Sequence, residues 1–95
     1  MFDFSSYNSP PAGWRVQEAS KDRLMLLHKK SRRSYIVEGP KPGEFILSYK
    51  SELSPNPQFV MKTDSLYRIL RSIGALRDGQ VQTLMLDNAS KQFRL

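Results

Sequence analysis

The sequence predicts an α+β domain: an antiparallel meander of four to six strands, one amphipathic helix packed on one face, and a β-hairpin at the C-terminal end. Three observations carry this expectation. From Gly13 onward, short runs of β-branched, aromatic and aliphatic residues are separated by clusters of turn formers, the pattern of consecutive strands. At Thr63 the spacing changes, and Leu66, Ile69, Leu70, Ile73 and Leu76 fall on one stripe of a helix. A chain of 95 residues with no cysteine has room for one hydrophobic core and no disulfide to support it.

Residues 1–12 mix Phe2, Phe4 and Tyr7 with Ser, Asn and the pair Pro10-Pro11, which suits an extended arm ahead of a domain spanning 13–95. Its rings either cover the domain's own core or dock on a protein partner. Trp14 to Ala19 alternates, with Trp14 and Val16 on one face and Arg15 and Gln17 on the other. Ser20-Lys21-Asp22 turns the chain into a second strand over 23–29. The continuous run Leu24-Met25-Leu26-Leu27 marks this as an inner strand with both faces covered over part of its length.

A third strand is expected over 33–38. The segment Gly39-Pro40-Lys41-Pro42-Gly43 then reads as a loop, because each proline lacks an amide hydrogen and each glycine admits positive φ. Glu44 to Lys50 forms the fourth strand, with Phe45, Leu47 and Tyr49 sharing a face. After a turn over 51–57, residues 58–62 can make a short fifth. The helix is expected over about 64–76, capped by Thr63 or Asp64 and stopped by Gly74 and Arg77-Asp78-Gly79. Beyond it, 80–86 and 91–95 pair across Asp87-Asn88-Ala89-Ser90. The competing reading is a second helix over 80–93, against which Asp87-Asn88 in its middle argues.

Fifteen Lys and Arg against nine Asp and Glu give a net charge of +6, so acidic partners are favoured: nucleic acid, RNA or DNA, or an acidic protein. The cations concentrate where the second and third strands meet. Lys29, Lys30, Arg32 and Arg33 lie within five positions, and no acidic residue falls between Arg23 and Val37. Fanned around a hairpin tip, such side chains can reach several phosphates, since phosphate contacts depend on charge placement and not on base identity. His28 and Tyr35 flank the cluster and can stack on unpaired bases, as can Trp14 if it is exposed. The competing reading is a solvated turn whose charges keep the sheet from pairing with other sheets. Arg68 and Arg71, on the polar face of the helix, are candidates for extending the anionic footprint.

Catalysis is not expected. His28 is the single histidine, the nine carboxylates show no metal-ligand spacing, and no serine sits in a nucleophile elbow. No metal or cofactor is therefore assigned. No segment reaches the ~18 apolar residues needed to span a bilayer, and the N-terminus lacks the pattern of a signal peptide, so a cytoplasmic home without membrane insertion is the expectation. The functional reading is a small, basic, non-enzymatic module of accessory or regulatory role that contacts nucleic acid through its cationic hairpin. The alternative is an adaptor or inhibitor that docks on an acidic protein through Phe2, Phe4, Tyr7 and a sheet edge.

Overall fold

In the computed structural model, which describes residues 3–7 and 10–75, five strands follow one another in space as they do in the chain. They are β1 (Trp14–Ala19), β2 (Arg23–His28), β3 (Arg33–Lys41), β4 (Glu44–Lys50) and β5 (Gln58–Thr63). Each runs antiparallel to its neighbour, which makes the sheet a meander with β3 at its centre. A 3-10 turn, Phe4–Ser6, comes before the sheet and α1 (Leu66–Ile73) after it. The expected C-terminal hairpin and its helical rival both lie outside the described residues, as do Phe2, Leu76 and Arg77. Among the described residues no helix is long and apolar enough to cross a membrane.

Strand register divides the side chains between two faces. Val16, Leu26, Tyr35 and Tyr49 form one row across β1 to β4, and Leu24, Val37, Leu47 and Met61 form the next across β2 to β5. These rows face the core, where Leu24, Leu26, Val37 and Leu47 are fully buried. Leu66, Ile69 and Leu70 of α1 join the same cluster, so the helix covers this face as expected. The other face of β2 is only half covered, since Met25 and Leu27 are partly exposed. The expectation that both faces of that strand are covered thus holds fully for one face.

Two departures from the expected boundaries have a physical reason in the structure. Ser65, not Thr63 or Asp64, caps the helix: its Oγ accepts the Arg68 amide at 3.2 Å. Thr63 is unavailable because it still pairs with Phe45 in the sheet. Gly74, at φ 78°, ends the helix as expected, with its amide donating to the Arg71 carbonyl at 3.2 Å and that of Ala75 to the Leu70 carbonyl at 2.9 Å.

The second difference is at Gly39-Pro40-Lys41, expected as loop. Here β3 continues to Lys41, which pairs with Glu44, and a register shift falls between Glu38 and Lys41. An irregular ladder has no bond to lose at Pro40, which is how a proline is tolerated there. Only Pro42 and Gly43 remain as the turn, with Gly43 at φ 74°, the geometry of a proline followed by a left-handed residue.

The N-terminal segment does not extend away from the domain. Phe4 is 1% and Tyr7 2% exposed. The Phe4 ring meets Phe45 edge-on at 6.3 Å, and the Tyr7 hydroxyl donates to the Ala75 carbonyl at 3.3 Å. Asp3 holds the turn by accepting the Ser5 amide at 2.9 Å. The segment ties the sheet to the end of α1 and spends its described aromatic rings in the core.

At the β1–β2 turn, Arg23 grips Glu18 through two nitrogens, at 3.2 and 3.3 Å, and the Ser20 hydroxyl donates to the same carboxylate at 3.0 Å. Bonding to Arg23 first, and to Ser20 second, holds the Glu18 carboxyl below the usual carboxylate range. A carboxyl depressed in the folded state contributes stability above its unfolded titration range and loses it as the pH falls through the folded value. Glu18→Gln is accordingly expected to lower the urea midpoint at neutral pH and to match the parent in strong acid. Equal midpoints at neutral pH would show that the tie does not contribute.

Candidate nucleic-acid interface

The β2–β3 hairpin closes through four residues, Lys29 to Arg32, with the Arg32 amide donating to the His28 carbonyl at 2.8 Å. Arg32 takes φ 60°, the left-handed conformation, which costs a residue with a β-carbon roughly 1–2 kcal/mol. The turn does not project freely. Its Lys29 amide donates to the Gly13 carbonyl at 2.9 Å, and Arg32 reaches Glu52 of the β4–β5 loop at 3.3 Å. The cation cluster that has no acidic neighbour in sequence thus acquires one from twenty residues further along.

Sheet geometry also splits the cluster. Arg33 pairs with His28, in register with Trp14, and so belongs to the core-side face. There its guanidinium lies 4.7 Å from the centre of the Tyr49 ring. Its bond to Tyr35, followed by the charges of Tyr35 and Tyr49, raises its pKa further, so it remains a cation. Tyr35 stands between Tyr49, at 6.0 Å, and Trp14, at 5.5 Å, while His28 lies 4.8 Å from Trp14. The Ser31 amide donates to His28 Nδ1 at 3.3 Å. Trp14 is 7% exposed and presents no free face, which removes the stacking role that depended on its exposure. His28, Arg33 and Tyr35 are brought together, but as a ring-and-cation stack engaged with itself.

On the other face, Arg15 stands opposite Leu27 in the β1–β2 ladder. These two, with Lys29, Arg32 and Glu52, line an open groove of about 270 Å³. Leu27 supplies an apolar wall and three cations surround it. Lys50 sits in the same row of the sheet, through the pairings of Leu27 with Ser34 and Ser34 with Lys50. Among the described residues, Arg23, Arg32 and Lys62 have ion-pair partners, while Arg15, Lys29 and Lys50 have none. Lys30 is exposed at the turn and is not part of the groove wall.

Arg68 and Arg71 are exposed on α1, with Arg71 Nη1 at 3.5 Å from the Tyr67 hydroxyl. Because α1 packs on the core side of the sheet, they lie across the sheet from the groove and do not extend it. Phe4 and Tyr7, candidates for docking a protein, are core residues, and Phe2 lies outside the described residues. Sequence reasoning did not single out Arg15 and Glu52, which line the groove, or Lys50 in the same sheet row. Alternation in β1 did place Arg15 on the face opposite Trp14, but only the strand register brings it to Lys29.

No protein-family model, curated protein or solved structure matches the chain.

Proposed function

We propose that this protein is a small, non-enzymatic module that binds nucleic acid on the cationic end of its sheet, in an accessory or regulatory role. The observation that supports this best is the groove: Arg15 and Lys29 come from different segments, face the same open space, and have no ion-pair partner among the described residues. Phosphate oxygens would neutralise both while the chain backbone passes along the Leu27 wall. The backbone of Arg32 adds support. Glycine or asparagine adopts its conformation with less strain, so an arginine there gives up backbone ease for a guanidinium at the groove rim.

The test is a salt titration of binding to a fluorescent oligonucleotide. Three to four phosphate contacts predict that log K falls against log salt with a slope of about −2 to −3, at about −0.7 per contact on a single strand. A slope near zero would overturn the phosphate contacts, and displacement by polyglutamate as effective as by nucleic acid would instead support the acidic-protein reading.

A further inference from the structure

We infer that the ligand of this surface is single-stranded, and that Phe59 is the platform on which one of its bases stacks. The inference rests on the proposed nucleic-acid function and adds the form of the nucleic acid to it.

Register extends the groove-side face well beyond the groove. Its next row runs Met25, Ile36, Ser48 and Phe59, from β2 to β5. Phe59 is 68% exposed, although an aromatic ring on a sheet is normally placed for burial. Neither α1 nor the Phe4–Ser6 turn lies on this side, since both contribute to the opposite, core face. The face therefore carries cations at one end, Arg15, Lys29 and Arg32, a further cation at Lys50, and an open ring on β5.

Three strand spacings separate β2 from β5, or about 14 Å at about 4.8 Å each. Stacked nucleotides advance about 3.4 Å each along one strand, so about four of them bridge the cations and the ring. That length is the lower end of what a single strand-binding sheet surface accommodates, at roughly 4 nucleotides.

A duplex fits this arrangement poorly. Its major groove admits a projecting helix or a two-stranded ribbon. The basic hairpin is not such a ribbon, because Gly13 holds it on one side and Glu52 on the other. Its Arg33 is turned away onto Tyr49. Cations spread over a sheet face can follow one flexible backbone, and the bases of that strand, unlike paired ones, offer a face to Phe59.

The experiment measures the full chain by fluorescence anisotropy against an oligothymidylate of about twelve residues and a mixed-sequence hairpin duplex of equal phosphate count. The single strand is expected to bind tighter. Phe59→Ala should weaken it by roughly 5- to 100-fold, from the range measured for loss of one base-stacking ring, and leave the duplex affinity as it was. Phe59→Trp should retain single-strand binding, and a circular dichroism melt confirms that each variant folds. Equal affinity for the duplex, or a Phe59→Ala variant that binds the single strand like the parent, overturns the inference while leaving the nucleic-acid function standing. Failure of the parent to bind either probe overturns both.

Discussion

Replacing Phe45 by alanine is expected to lower the free energy of unfolding by about 3–5 kcal/mol, the range for removing a buried phenylalanine. The side chain is 1% exposed, in the same row as Thr63 of β5, and meets Phe4 edge-on. Gly39 lies close enough that a β-carbon there would be 3.6 Å from the Phe45 ring. Truncation thus opens a cavity bordered by β3, β4 and the N-terminal segment, and neither a rigid ladder nor a short 3-10 turn can collapse to fill it. A domain of this size has only about 5–14 kcal/mol in total, so the variant should sit near the threshold of folding. Urea denaturation followed by tryptophan fluorescence reads the change as a lower midpoint with similar slope. Phe4→Ala should cost a comparable amount, and the double variant less than the sum, since the two rings share one contact. Strict additivity would mean that the N-terminal segment is not seated on Phe45. Phe59→Ala, on an exposed site of the opposite face, should change stability by less than about 0.5 kcal/mol.

The sheet was legible because its signals are local. Alternation of Trp14, Val16 and of Phe45, Leu47, Tyr49 marks the inward face of β1 and β4 without reference to any other strand. Turn residues mark where one strand stops. The departures occur where the deciding interaction is remote in sequence. Pro40 reads as a loop residue until the register shift opposite it is known, and Thr63 reads as a cap until its pairing with Phe45 is known. Phe4 and Tyr7 suit a core better than a partner in the sequence, and contacts with Phe45 and Ala75, some forty to seventy residues away, decide the matter.

The candidate site was legible in composition but not in arrangement. Four cations in five positions single out the hairpin tip as a cationic cluster. A hairpin, however, distributes successive residues to opposite sides, and the sequence alone does not say which of Lys29, Arg32 and Arg33 stay together. Arg33 goes to the tyrosines and Arg32 to Glu52, while Lys29 gains Arg15 from the neighbouring strand. Each of these outcomes depends on an adjacent strand. The helix arginines illustrate the same point: their charge suits the proposed ligand, but packing places them on the far side of the sheet.

That separation yields a sharp expectation for charge reversal. Arg15→Glu combined with Lys29→Glu should weaken oligonucleotide binding by on the order of 100-fold at physiological salt, because two phosphate contacts are lost and two repulsions replace them. The slope of log K against log salt should become shallower by about 1.4, two contacts at about 0.7 each. Arg68→Glu with Arg71→Glu makes the identical change in net charge, four units, on the opposite side of the sheet. Electrostatic attraction at long range responds to net charge and is screened over about 8–10 Å at physiological salt, so the helix variant should lose only a small part of the affinity and keep the slope. Both pairs are exposed or line an open groove, and neither variant should lower the thermal midpoint beyond the small effects usual at the surface. If the two double variants weaken binding equally, the protein is attracting nucleic acid by net charge alone and the groove is not its site. If the helix pair abolishes binding and the groove pair does not, the interface lies on α1, and the proposed face of the sheet is wrong.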